Sequence, residues 1–281
     1  MPELPEVETV RRGLQQQTSG FVIERVAVHR PRAIAAPRHD PEGFSAAMAG
    51  RTVEQWRRRG KYLIAQLDQG HWGVHLRMTG QFLWLEAERS RQHPPCRHTR
   101  VQLWNTAGQE LRFIDIRSFA ELWWVPPGAA PEAVITGLQR LGPEPFDASF
   151  DAAYLKRRLQ GSQRPIKNAL LDQALVAGVG NIYADESLFA AGIRPQTPSG
   201  RIGLTRLQAL HTALIAVLEQ SIGAGGTTFS DFRDLTGTNG NYGGMAWVYR
   251  RTGQSCRRCG DTVRRTTLGG RSSHWCPGCQ H

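Results

Sequence analysis

Apolar positions along the chain follow two rhythms. Between Glu6 and Gln17, after Pro5, the residues Val7, Val10 and Leu14 recur at three- and four-residue spacing and stop before a break at Thr18-Ser19-Gly20, which predicts an amphipathic helix. Short runs then follow, among them KYLIAQLD, HWGVHLRM, GQFLWLE and ELRFIDI, many with apolar residues at every second position and with Gly or Asn in several of the breaks. That pattern predicts antiparallel strands forming a sandwich or barrel behind an N-terminal helix, up to about residue 125. Beyond the Pro- and Gly-rich stretches VPPGAAPEA and LGPEPFD the spacing turns helical, in DAAYLKRRLQ, IKNALLDQAL, NIYADESLFAAG and LTRLQALHTALIAVLEQSIG. A glycine-rich stretch, GAGGTTFSDFRDLTGTNGNYGGM, then reads as a mobile loop. The expectation is an α+β protein in three segments: 1–130, 131–245 and 246–281.

Composition adds a partner. The chain has 281 residues, 40% of them apolar, and a formal net charge of +11. Such an excess predicts attraction to a polyanion, nucleic acid before an anionic membrane surface. No run of 18 apolar residues and no secretory leader is visible, so a soluble cytoplasmic protein is expected. The basic residues are 32 Arg and only three Lys: Lys61, Lys156 and Lys167. A position that stays Lys in such a chain is a hint that a compact ammonium is wanted there.

Four of the five cysteines lie in the last 26 residues, as Cys256, Cys259, Cys276 and Cys279. Each C-x2-C pair puts two thiolates on one side of a tight turn, and the sixteen residues between the pairs suffice for a β-hairpin that closes them around one structural Zn2+. Reduced structural cysteines or a disulfide pair are the alternatives, the latter disfavoured inside a cell. Five arginines against one acid, Asp261, suit this segment to lie on phosphates. Cys96 stands alone and reads as an incidental loop residue.

Six stretches in register, MPELPEVETVRRGL, RRRGKYL, HLRMTG, GVGNIYADESLFAAGI, GGTTFSDF and the terminal zinc motif, closely resemble formamidopyrimidine-DNA glycosylases from end to end. The resemblance implies an N-terminal helix with an antiparallel β-sandwich, then a helix-two-turn-helix domain and a zinc finger. It implies a monomer that acts on double-stranded DNA carrying oxidised bases, excising oxidised purines and cleaving the abasic site by β,δ-elimination. The resemblance further implies that the initiator Met is removed and that Pro2 becomes the nucleophile. An α-amino group has a reference pKa of about 7.7 to 8.0, so a neutral fraction exists near pH 7, unlike for an ordinary lysine. Glu3 matches the general acid/base and Glu6 a supporting glutamate; for Glu8, charge complementarity to the helix N-terminus is the preferred reading. Lys61 matches a lysine that contacts phosphate and assists catalysis.

The phosphate grip maps to Lys61, His75, Asn181, Tyr249 and Arg271, with Lys167 as a further DNA contact. Asn181 also follows a Gly-rich turn and opens a helix, where free N–H groups favour an anion. The residues that fill the gap left by a flipped base map to Met78, Arg117 and Phe119. The family pattern has a basic residue and a Gly where this chain has Ser118 and Ala120, so the loop's backbone and opposite-base preference are open. The stretch from Gly225 to Gly244 corresponds to the loop that closes over the flipped purine. An endonuclease VIII-like glycosylase is the nearest rival, disfavoured by Leu4 and by the Met, Arg and Phe set. A catalytically dead zinc-containing DNA-binding protein is disfavoured by the intact Pro2, Glu3 and Lys61.

Overall fold

The computed structural model describes residues 2–227, 235 and 240–281, in two compact units. The first comprises Met1–Gln139 and Gly225–Asn241, the second Arg140–Ala224 and Tyr242–His281.

In the first unit, α1 (Leu4–Thr18) precedes β1 (Arg25–Val28), β2 (Ile34–Ala36) and α2 (Pro41–Met48). Then come β3 (Val53–Arg59), β4 (Tyr62–Leu67), β5 (His71–His75), β6 (Gly80–Leu85), α3 (Ala87–Gln92), β7 (Thr99–Trp104), β8 (Glu110–Asp115), β9 (Glu121–Val125) and α4 (Pro131–Val134). The strands form two sheets, ordered β1-β7-β8-β6 and β2-β9-β5-β4-β3. Alternation in β4 buries Leu63, Ala65 and Leu67 and leaves the residues between them half-buried. These inward residues, with Trp56, Trp72 and Val74, share one core with Phe82, Val101, Leu103 and Phe113 of the other sheet. Trp72 meets Phe82 edge-on at 5.6 Å between ring centroids, which joins the two layers. The α1 stripe of Val7, Val10 and Leu14 seals the same core, and Trp56 donates its indole N–H to Thr18 at the end of α1, 2.8 Å away. The antiparallel expectation fails at one pair: the three-residue β2 lies parallel to β9.

The second unit is helical, with α5 (Ala152–Leu159), α6 (Ile166–Leu170), α7 (Asn181–Ala190), α8 (Leu204–Gly223) and α9 (Tyr242–Met245), and ends in the hairpin β10 (Arg264–Leu268) and β11 (Arg271–Trp275). Leu207, Leu210, Leu214 and Leu218 form the buried stripe of α8, each contributing about 1.5 to 3 kcal/mol by leaving water. Their partners include Tyr183, Ala184 and Leu188 of α7. The helix α7 is unusual, because every residue from Tyr183 to Phe189 is buried, Asp185 and Glu186 included. In the hairpin Leu268 pairs with Arg271, so the turn has two residues, Gly269 and Gly270, with φ of 53° and 74°. Two successive positive φ values define the tight turn that suits strand twist, and they require glycine there.

Most of the glycine-rich stretch expected to cover a flipped base, residues 228–234 and 236–239, lies outside the described residues. Among those described, no helix is long and apolar enough to cross a membrane.

Candidate active site and nucleic-acid interface

The start of α1 is held by a reciprocal cap. Glu3 is the N-cap, its carboxylate accepting from the Glu6 backbone N–H, while the Glu6 carboxylate accepts from the Glu3 N–H at 2.8 Å. The other Glu6 oxygen accepts from the Thr227 N–H, also at 2.8 Å. Gly226, at φ 79°, brings that segment so near that a Cβ would stand 3.1 Å from Glu6 Oε1. Pro2, Glu3 and Glu6 are all buried. Both Glu6 oxygens therefore have backbone partners, while Glu3, which follows Pro2 in the chain, caps the Glu6 N–H. Glu8 faces elsewhere: Arg11, Arg12 and Arg58 surround it at 2.9 to 3.2 Å, binding α1 to β3. Burial works against its ionisation, but those guanidinium groups win and hold its carboxyl below the usual range.

Lys61 lies between β3 and β4 and is buried. Next to it, Tyr62 pairs in register with His75 and meets its ring edge-on at 4.6 Å. Burial, then the charges of Arg77 and Lys61, push the His75 pKa down to about 3. His75 is thus neutral near pH 7. Its Nδ1 accepts from the Arg77 N–H at 3.0 Å, which leaves Nε2 to carry the proton. The imidazole is a neutral donor suited to a phosphate oxygen, beside a lysine that supplies the charge.

Met78, Arg117 and Phe119 come together on the surface. Met78 and Phe119 are 41% and 48% exposed, large values for apolar side chains. Arg117 reaches both, with Nη1 2.9 Å from the Met78 sulfur and the guanidinium 4.8 Å from the Phe119 ring centroid. One buried carboxylate organises the two turns that carry them. Asp115 accepts from the Thr79 hydroxyl, from the Arg117 N–H at 3.2 Å and from the Ala120 N–H at 2.8 Å. Ser118 sits at φ 54°, in the left-handed region, whereas Ala120 does not, so the turn needs no glycine at 120. The departure from the family pattern leaves the turn closed.

In the second unit, Asn181, Tyr249 and Arg271 gather around β11. Asn181 opens α7 after Gly180, and its amide nitrogen lies 3.4 Å from Ser272 Oγ, next to exposed Arg271. Among the described residues the buried amide oxygen of Asn181 has no partner. Turning the amide over would present its NH2 at that point, as an anion requires. Tyr249 packs edge-on against His274 at 4.9 Å.

Lys167 corrects the expectation of a DNA contact. Its side chain is fully buried, with the ammonium 2.7 Å from Asp185 and donating to the Ser272 carbonyl. Those partners take up the charge that a phosphate would need. Asp185 also accepts from the backbone N–H of His274 at 2.9 Å, and Glu186 accepts the N–H groups of Trp247, Val248 and Tyr249 at 2.7 to 3.0 Å. These two acids, like Asp115, were missed by motif reasoning. The signal for them was adjacent acids in NIYADESLF, a helix whose apolar residues leave no polar face to carry them.

The sulfurs of Cys256, Cys259, Cys276 and Cys279 all lie within 4.8 Å of one another, with Cys256 to Cys279 at 3.9 Å and Cys259 to Cys276 at 3.4 Å. A tetrahedron with Zn–S bonds of about 2.3 Å has edges of about 3.8 Å, so the donor set fits one structural Zn2+. Burial and then the neighbouring thiols push Cys276 and Cys279 above ordinary thiols, whereas at Cys256 burial is outweighed by the backbone N–H groups of Arg258 and Cys259, which bring it down to about 7.

Comparison with known proteins bears on the family. The formamidopyrimidine-DNA glycosylase N-terminal domain matches residues 1–122, the H2TH domain of that family 141–233, and the zinc finger found in FPG and IleRS 253–281. A formamidopyrimidine-DNA glycosylase from Parasynechococcus marenigrum (strain WH8102) is 63% identical over 282 residues, covering 100% of both chains. The Lactococcus lactis Fpg in complex with an abasic site containing DNA superposes with a TM-score of 0.89 at 32% identity, covering 99% of each chain. The same protein with a FAPY-dG containing DNA gives 0.88 at 32%, covering 99% of this chain and 100% of that one. With three domain matches in order and full-length identity at this level, the chain belongs to the formamidopyrimidine-DNA glycosylase family of base-excision repair enzymes.

Proposed function

We propose that the protein excises oxidised purines from double-stranded DNA and then cleaves the strand as an abasic-site lyase, acting as a monomer in the cytoplasm on the nucleoid. Once Met1 is removed, the secondary amine of Pro2 attacks sugar C1′. The N-glycosidic bond breaks, its electron pair leaves with the base, and a proton follows. The attached amine then gives up its proton, the C1′–O4′ bond opens with O4′ taking up a proton, and the iminium so formed at C1′ withdraws electrons and acidifies the C2′ proton. Loss of that proton expels the 3′ phosphate by β-elimination, and a second elimination expels the 5′ phosphate. Glu3 carries protons in these steps. Glu6 holds the helix start and Thr227 in place. Lys61 supplies charge and His75 a neutral N–H to phosphate oxygens.

Met78 and Phe119 fill the gap left by the flipped base, and Arg117 faces the orphaned partner. Asn181, Tyr249 and Arg271 take backbone phosphates, with Zn2+ stiffening the hairpin that carries Arg271. The metal is structural and takes no part in bond making. The observation that supports this reading is the reciprocal Glu3–Glu6 cap directly after Pro2, which fixes the backbone that carries Glu3 and gives both Glu6 oxygens backbone partners. The test is borohydride trapping on a duplex with 8-oxoguanine opposite cytosine. Wild type lacking Met1 forms a covalent complex, and Pro2→Gly abolishes or greatly weakens it. A correctly processed wild type that fails to trap refutes the enzyme reading and leaves a DNA-binding protein. Faster trapping on an oxidised pyrimidine would favour the endonuclease VIII-like alternative.

A further inference from the structure

Beside the exposed Met78 and Phe119, and wholly within the first unit, is a cavity of about 690 Å³ that none of the steps above employs. Arg32 and Arg38, before and after β2, line it together with Arg77 and Trp123. Arg77 is paired with Glu121, so those two charges cancel. Among the described residues neither the Arg32 nor the Arg38 side chain has an acidic partner or a hydrogen bond, and both are exposed. The cavity thus offers two uncommitted guanidinium groups and the rings of Phe119 and Trp123 in its lining, with room for a nucleotide unit. That is the chemistry of a phosphodiester with its sugar: guanidinium forks match phosphate oxygens, and the ring faces cover the sugar.

Resting on the proposed function, we infer that this cavity holds the phosphodiester and sugar of the undamaged strand next to the orphaned base. Met78 and Phe119 form one wall, so residues entering the gap in the duplex bring the cavity to the strand that keeps its base. Arg117, which reaches both, belongs to the same strand by its proposed contact with the orphan. The site would then read the presence and path of a second strand, and restrict tight binding to duplex.

The experiment is equilibrium binding by fluorescence anisotropy with the zinc-loaded full chain. It uses a tetrahydrofuran abasic-site analogue in duplex and in single strand, and compares wild type with the Arg32→Ala/Arg38→Ala double variant. Both residues are exposed and unpaired, so the variant folds, as its thermal melting checks. The expected result is at least a tenfold loss on the duplex, a salt slope smaller by about one, and unchanged single-strand affinity. A methylphosphonate scan of the undamaged strand locates the site. Wild type weakens at one or two linkages flanking the orphan, and the double variant is indifferent to those substitutions. Equal losses on duplex and single strand, or none, overturn the inference. So does micromolar binding of free deoxycytidine monophosphate, which would make the cavity a small-molecule site. Binding needs no chemistry, so failure here is distinguishable from failure of borohydride trapping.

Discussion

The helix start of the first unit and the zinc hairpin of the second hold polar groups on rigid backbone by opposite means. At the helix start the contact between Glu3 and Glu6 spans three residues and arises as soon as α1 forms. At the hairpin, Asp185 and Glu186 of α7 reach backbone groups about 60 to 90 residues away, and four sulfurs come together from two turns. Local capping is weak but cheap in chain entropy, whereas the distant network is strong only when complete. The first region should therefore lose catalysis with its structure kept, and the second should lose structure abruptly.

Removing the metal should have the largest effect. Chelation, or Cys276→Ser, takes away the constraint that closes the hairpin, and DNA affinity should fall more than a hundredfold in a gel-shift or anisotropy titration. Unchanged binding would mean that the hairpin is irrelevant to DNA. Next comes Asp185→Asn, which leaves the buried Lys167 ammonium without its counter-charge. We expect about 3 to 5 kcal/mol of lost stability in urea unfolding, with Asp185→Leu/Lys167→Met recovering much of it. A single variant that melts like wild type would contradict the buried pair.

Glu6→Gln is milder. One amide end still accepts a hydrogen bond, but its NH2 meets a backbone N–H, at a cost of about 1 to 3 kcal/mol. Trapping should slow roughly tenfold with DNA affinity retained. A loss as severe as that of Glu3→Gln would make Glu6 a proton carrier and erase the contrast between the two glutamates.

The smallest effect is one of pH. His75 takes up its proton near 6.5 when unfolded but only at about 3 when folded. Between those values the unfolded chain binds more protons, so this contribution to stability is complete above pH 6.5 and is lost as pH falls toward 3. Its slope approaches about 1.4 kcal/mol per pH unit. Urea midpoints between pH 7 and 5 should fall more steeply for wild type than for His75→Asn, and parallel curves would contradict the buried neutral ring.

The sequence made some of this legible because period and spacing are local properties. The alternating runs gave the strands, the Val7, Val10 and Leu14 stripe gave α1, and the C-x2-C pairs gave the metal cluster. Lys167 shows where such reading stops. Its place before the Gly-rich turn, within the family match, suggested a DNA contact, yet it is buried against an acid that lies in another helix. Nothing in spacing reveals which distant carboxylate will be buried with it. Asp115 was hidden for the same reason: its value lies in joining the Thr79 and Ala120 turns, a fact of strand pairing between β6 and β8. The parallel β2–β9 pair was equally out of reach, since strand direction is set by where the chain returns.

The central claim is that Pro2 is the nucleophile, positioned beside Glu3 by the cap at the start of α1. Its most direct test is mass-spectrometric mapping of the borohydride-trapped complex after proteolysis. A sugar remnant is expected on the N-terminal peptide, attached to the Pro2 nitrogen with Met1 absent. An adduct on Lys61, or on any peptide that leaves Pro2 unmodified, would contradict it.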